Sequence, residues 1–185
     1  MIIGLTSFIG AGKTTVGDYL VKKGFVFYSL SDVIREEIRS RCQEITRDRL
    51  VEVGNELRKK FGSSVLADRI ISKIEKAPEK NYAIDSIRNP AEIEALRKRK
   101  GFRLIFIDAP IELRFKRIKE RQREKDPMTF NDFKKAEDKE MQSKDSSHQQ
   151  LLKCRQMADV VIINDSSLKA LYKKIDKLIE DGRKK

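Results

Sequence analysis

Residues 2–15 read Ile-Ile-Gly-Leu-Thr-Ser-Phe-Ile-Gly-Ala-Gly-Lys-Thr-Thr and carry more structural information than any other stretch of the chain. An apolar, β-prone run from Ile2 to Leu5 enters a glycine-rich turn. The turn leaves through a lysine and two hydroxyls into residues 13–23, where Val16, Tyr19 and Leu20 share one helical face. Gly10 and Gly12, with Ala11 between them, let the backbone wrap closely round a polyphosphate and aim its N–H groups inward. Lys13 brings a point charge to the terminal phosphates. Thr14 offers a hydroxyl to Mg²⁺, Thr15 sits in the first helical turn, and the helix N-terminus adds its positive dipole. The spacing is that of the phosphate-binding loop G-x-x-x-x-G-K-[ST], with Ser7 standing at the first glycine position.

The chain has 185 residues, enough for one domain with its own core. Charged residues make up 38% and hydrophobic ones 39%, and the apolar residues fall in organised runs, which argues against disorder. No run is long enough to span a membrane, and Met1 opens directly into the first strand without a signal-peptide pattern, so a cytoplasmic protein is expected. Two cysteines without a CxxC spacing, Cys42 and Cys154, and one histidine, His148, argue against a zinc site and a disulfide framework. The net charge of +12 gathers between Arg97 and Lys125. Without an RNA-binding aromatic signature or a helix-turn-helix, a solvated helix face plus phosphate-binding arginines is preferred to a nucleic-acid partner.

Strand candidates are Ile2–Leu5, Phe25–Tyr28, Tyr82–Asp85, Arg103–Asp108 and Val160–Ile163, short continuous apolar runs of the kind buried on both faces of a parallel sheet. Helices are expected from a Ser31 or Asp32 cap to about Arg41, over Thr46–Phe61 with Gly62 just past its end, and over Ser64–Lys76. Others follow from Pro90 through Lys100, over 111–125, over 129–142 and over 167–181, with residues 182–185 frayed. The alternation predicts a doubly wound α/β fold: a five-stranded parallel sheet flanked by helices, as a single domain over 1–185. The helix-only stretch at about 31–76 is too long for one crossover and reads as an inserted lobe.

In such a sheet, ligands bind beyond the carboxyl ends of the strands. Asp32 with Arg35 follows the second strand, and Asp85 with Arg88 follows the third, each pair spaced by three. Two arginines at equivalent exits suggest convergence on a second phosphate, a task that suits the planar guanidinium fork. Asp85 also closes an apolar strand, where it would organise Mg²⁺ together with Thr14. Beyond the fourth strand, Arg114, Arg117 and Arg121 lie three and four apart on one helical face that would close over a transferring phosphoryl group.

Together these residues resemble the nucleoside-monophosphate kinase group of P-loop kinases, which includes adenylate kinases and dephospho-coenzyme A kinases. Ile3 to Thr14 is similar to the opening of the latter, and Asp32-Val-Ile-Arg35 to the adenylate kinase stretch whose arginine holds the acceptor phosphate. Asp85-Ser-Ile-Arg88 resembles a corresponding acceptor motif, shortened by one residue. Arg117 and Arg121 match lid arginines, and Ala158 to Ser167, with Asn164, looks like the last strand and the loop beside the adenine base. Leu30–Glu37, Val53–Gly62, Ile84–Glu94 and Gln149–Cys154 resemble a set of archaeal kinase-like proteins and the P-loop domain that precedes the deaminase in antiphage deoxycytidylate deaminases. The zinc motifs of the deaminase are absent, so that activity does not carry over.

The resemblance implies a P-loop NTP hydrolase fold with a helical acceptor lobe at about 31–76 and a short lid at about 114–133. It implies ATP and Mg²⁺ as cofactors and a small phosphorylated, nucleotide-like acceptor. Gly10 to Thr15 and Asn164 would hold the nucleotide, Asp32, Arg35, Asp85 and Arg88 the acceptor. Lys13, Arg88, Arg117 and Arg121 would act on the transferring group. Three readings stay open: a (deoxy)nucleoside monophosphate kinase, a dephospho-coenzyme A kinase with Asp32 as base, and a nucleotide-sensing or nucleic-acid-coupled P-loop protein. A monomer or a homodimer would serve any of them.

Overall fold

In a computed structural model of the chain, residues 1–78, 80–121, 129–141 and 145–183 are described. The strands are β1 (Ile2–Ser7), β2 (Val26–Ser29), β3 (Tyr82–Asp85), β4 (Phe102–Asp108) and β5 (Val160–Ile163). They form one sheet of order β2-β3-β1-β4-β5, and every described pairing is parallel. β1 therefore lies at the centre, with Ile3 opposite Ala83 on one side and Arg103 on the other. This is the α/β arrangement that the apolar runs predicted.

Helices α1 (Lys13–Lys22) and α9 (Leu168–Arg183) cover one face. Their Val16, Leu20, Leu171 and Ile175 pack on Ile3, Leu5, Ile105 and Ile162. Helices α2 (Leu30–Ser40), α3 (Arg47–Phe61), α4 (Val65–Ile74) and α5 (Pro90–Arg97) build the other core. Their Leu30, Ile38, Leu57, Leu66, Ile70 and Ile93 surround Ile84, Ile87 and Leu104. Helices α6 (Ile111–Arg121), α7 (Phe130–Met141) and α8 (Leu151–Gln156) complete the described structure. No described helix is long and apolar enough to cross a membrane.

Several boundaries differ from expectation for identifiable reasons. β1 runs two residues further, because Thr6 and Ser7 continue the ladder with Phe106 and Ile107. Ser31 and Asp32 do not cap α2: Ser29, still extended at φ −122°, ψ 132°, is the boundary residue, and β2 passes into α2 without a loop. α3 starts as predicted, with the Thr46 hydroxyl accepting from Arg49 N at 3.1 Å, and it ends at Gly62 with φ 99°. α5 is fixed by a capping box between Asn89 and Glu92 ahead of Pro90. α8 was not anticipated. Gly182 is helical rather than frayed, held against the Met1 side chain so closely that a Cβ would meet its Cε at 2.4 Å. Residues 184–185 and the centre of the expected lid, 122–128, lie outside the described residues.

Candidate active site

The carboxyl ends of β1, β2 and β3 open into a cleft of about 970 Å³. One wall is the turn between β1 and α1. Ser7 is still a strand residue, and it is not among the residues with positive φ, so serine there meets no conformational penalty. Gly10 and Gly12 do need glycine: their φ values are 78° and 100°. A Cβ on Gly10 would lie 2.6 Å from the Arg114 carbonyl, and one on Gly12 would lie 2.4 Å from Asn164 Nδ2. The loop is therefore shaped by its own dihedrals and by neighbours that press on it from behind.

Lys13 begins α1 and reaches Asp85 at the end of β3, with Nζ donating to Oδ1 at 2.5 Å. Burial pulls the Lys13 ammonium below the ordinary lysine range, Asp85 opposes that pull, and the positive charges of Arg88 and Arg35 add to it. That electrostatic contact brings the two strand-exit arginines and the loop lysine into one field. Thr14 is exposed to the cleft, and Thr15 lines it beside Asp18. Among the described residues no group of three acids, cysteines or histidines could hold a metal alone. The donors present are the Thr14 hydroxyl and the Asp85 carboxylate, and this set suits Mg²⁺, which takes one or two protein oxygens and completes its shell with phosphates and water.

The other wall carries Arg35 and Arg88. Arg35 Nη1 donates to Ser31 Oγ at 2.9 Å and to Asp32 Oδ1 at 2.8 Å. Arg88 Nη1 donates to Gln149 Oε1 at 2.8 Å. All five of these side chains line the cleft. The backbone that presents Arg88 is tied down from beneath: Arg88 N and Asn89 N donate to Glu92 Oε2 at 2.9 and 3.0 Å, and the buried Arg58 donates to Glu92 Oε1.

The three arginines predicted on one face of α6 separate. Arg114 is a correction: it is 4% exposed and turned inward, donating to Ala109 O at 2.8 Å, to Ile9 O at 3.2 Å and to both oxygens of Glu137 on α7. A guanidinium so engaged braces the loop and is not offered to a phosphoryl group. Arg117 does line the cleft; its Nη2 donates to Asn164 O at 3.0 Å, while its buried Nη1 has no hydrogen-bond partner among the described residues. Arg121 closes α6, and its side chain lies outside the described residues. Asn164 is buried behind the loop, donating to Ala11 O at 2.9 Å, and it is absent from the cleft lining.

The segment 44–51, inside the lobe at about 31–76 that the resemblance assigns to the acceptor, lines the cleft with Ile45, Thr46, Arg47 and Leu50. Sequence reasoning missed two parts of this site. The Arg58–Glu92 pair had one available signal, the Asn-x-x-Glu spacing of a capping box. The hydroxyls of Ser29, Ser31 and Ser86 form a cluster that only the alignment of β2 with β3 reveals.

Comparison with known proteins places this geometry. A family model described as "AAA domain" matches residues 3–145. A "UPF0200 protein" of Thermococcus gammatolerans is 31% identical over 185 residues, covering 97% of this chain and 94% of that protein. A second "UPF0200 protein", from Methanothermobacter thermautotrophicus, is 33% identical over 76% of this chain and 72% of its own length. Among solved structures, shikimate kinase from Acinetobacter baumannii superposes with a TM-score of 0.59 at 21% identity, covering 100% of this chain and 95% of that one. At that identity the likeness concerns the fold, which is that of P-loop kinases.

Proposed function

The chain belongs to the UPF0200 family and to the AAA-domain family of P-loop proteins, and from that premise we propose that it is a Mg²⁺- and ATP-dependent phosphotransferase whose acceptor is a (deoxy)nucleoside monophosphate. One observation carries the reading. A phosphate-binding loop with Lys13 and a pair of strand-exit arginines, Arg35 and Arg88, face a single cleft and share one electrostatic field. A nucleotide hydrolase needs the first half alone, whereas a transferase between two phosphates needs both.

The residues divide the work accordingly. The loop backbone and Lys13 hold the donor phosphates, and Asn164 and Arg114 stiffen the loop from behind. Thr14 and Asp85 would hold Mg²⁺, which when bound neutralises the phosphate oxygens. Arg35 and Arg88 orient the acceptor phosphate bidentately. An ionised oxygen of that phosphate attacks the γ-phosphorus in line, the bond to the β-phosphate bridging oxygen breaks, and ADP leaves with that electron pair. No general base is required. A hydroxyl acceptor would need a base such as Asp32, whose Oδ1 accepts from Arg35. Arg117 lines the cleft, and its cation is suited to charge that develops on the transferring group.

The test is a product-resolved transfer assay with ATP, Mg²⁺, ribo- and deoxynucleoside monophosphates, dephospho-coenzyme A and a 5′-hydroxyl oligonucleotide, with Lys13→Ala as control. One monophosphate converted to its diphosphate, and no conversion by Lys13→Ala, is the expected result. ATP hydrolysis that no acceptor stimulates would overturn the transferase reading in favour of a nucleotide-sensing switch.

A further inference from the structure

Three serines that the transfer chemistry does not use meet where β2 and β3 end. Ser29 closes β2, Ser31 lies in the first turn of α2, and Ser86 follows Asp85. The Ser29–Asp85 register of the two strands sets them side by side. Their hydroxyls lie 2.8 Å (Ser29 to Ser31), 3.1 Å (Ser29 to Ser86) and 3.3 Å (Ser31 to Ser86) apart. Ser29 and Ser86 are buried, and Ser31 faces the cleft.

Proton counting gives the cluster a direction. Each hydroxyl has one proton to donate, and an ionised carboxylate has none. Ser86 therefore donates to Asp85 Oδ2 at 3.2 Å and accepts from Ser29. With the Ser29 proton so used, Ser31 is the donor to Ser29. Ser31 in turn accepts from Arg35 Nη1 at 2.9 Å. The result is one polarised chain, Arg35 to Ser31 to Ser29 to Ser86 to Asp85, and the other Asp85 oxygen takes Lys13. Ser86 occupies the left-handed region at φ 63°, a conformation that a glycine would adopt without cost. Serine there bears strain and supplies a hydroxyl that glycine lacks.

We infer that Ser29, Ser31 and Ser86 are positioning residues that couple occupancy of the acceptor site by a phosphate monoester to release of Lys13 toward the donor phosphates. The inference rests on the reading of Arg35 as an acceptor-phosphate residue. A phosphate that takes Arg35 Nη1 removes the donor at the head of the chain. Ser31 then turns its proton toward the anion, Ser29 and Ser86 lose their ordered partners, and Asp85 holds Lys13 less rigidly. Before the acceptor arrives, the ordered chain keeps Lys13 on Asp85 and away from ATP. No bond to phosphorus is made or broken in this step; hydrogen bonds are exchanged only. The consequence is mutual strengthening of donor and acceptor binding.

The experiment measures the affinity of a non-hydrolysable ATP analogue with Mg²⁺ by calorimetry, alone and with each of the four ribo- and four deoxynucleoside monophosphates. In the unaltered chain, the monophosphate that binds should tighten the analogue by about tenfold, within the usual range of coupling between sites. Ser29→Ala and Ser86→Gly should bring that ratio close to one, and Ser29→Thr, which keeps the hydroxyl, should restore it. Ser86→Gly also relieves the backbone, so loss of coupling there is not a folding defect. Serine variants that keep the full ratio, or an unaltered chain that binds both ligands independently, would overturn the coupling and leave the transferase reading standing. Failure of the unaltered chain to bind the analogue or any monophosphate would overturn both.

Discussion

Arg58 and Glu92 meet at 2.8 Å with side chains only 2% and 0% exposed, directly beneath the backbone that presents Arg88. Glu92 thereby links α3, on the helical lobe, to the exit of β3. A buried carboxylate with donors on both oxygens is fully satisfied, and removing either partner strands a charge. Glu92→Ala should lower unfolding free energy by about 3–5 kcal/mol, read from the midpoint of urea denaturation. The double variant Arg58→Met with Glu92→Leu should recover part of that loss, because no charge is then stranded while the Arg88 and Asn89 N–H groups still lack their acceptor. If it does, with acceptor affinity still impaired, the pair serves to position Arg88 rather than to hold the fold.

Gly12 and Ser7 should respond in opposite ways. Gly12→Ala places a Cβ against Asn164 at a φ of 100°, so roughly 1–2 kcal/mol of backbone strain is added to a steric clash. ATP affinity should fall by more than tenfold in a direct binding assay. Ser7→Gly restores the usual loop spelling at a residue that is already an ordinary strand position, and ATP affinity should change less than about twofold.

The lowered lysine sets a pH dependence. Because burial favours the neutral form of Lys13, its charge is lost at a lower pH than an ordinary lysine near 10.4 would lose it. ATP affinity should therefore decline as pH rises through that lowered value. A titration of Kd from pH 7 upward checks this, with Lys13→Arg, whose charge persists, expected to show no such decline. A Lys13 profile that stays flat into the ordinary lysine range would contradict the assignment.

The two cysteines should differ in reactivity. Cys42 is exposed, whereas Cys154 lies in the core, where burial foremost, and Glu92 second, push its thiol far up. Iodoacetamide should add once to the native protein, at Cys42, and a second time only after unfolding, as intact mass would show.

Arg114 and Arg117 should separate stability from turnover. Glu137→Ala leaves the Arg114 guanidinium buried without its carboxylate and should cost about 3–5 kcal/mol in stability. Arg117→Ala removes a cleft cation and should lower turnover by about a hundredfold with a much smaller change in the unfolding midpoint.

That last contrast also marks how far the sequence could be read. The loop from Gly10 to Thr15 and the strand-exit residues Asp85 and Arg88 were legible because glycine spacing and strand ends dictate local geometry. Arg114 and Arg117 look alike in sequence: helical periodicity tells which residues share a side, not which of them a distant acid such as Glu137 will draw inward. α8 was invisible because six residues carry too little periodicity. The serine cluster depends on the register between β2 and β3, and it joins residues 57 positions apart that no local pattern connects.

The absence of a loop between β2 and α2 has an evolutionary consequence. Ser29 is at once the last paired residue of the strand and the boundary of the helix, so inserting or deleting one residue there would rotate α2 by about 100° and carry Arg35 out of the cleft. Length variation among relatives should be purged at this junction. The segment 44–51, which lines the same cleft, comprises the end of the α2–α3 connection and the start of α3, and it has no strand to stay in register with. It is where the cleft wall can change without disturbing the loop from Gly10 to Thr15 or the exit of β3.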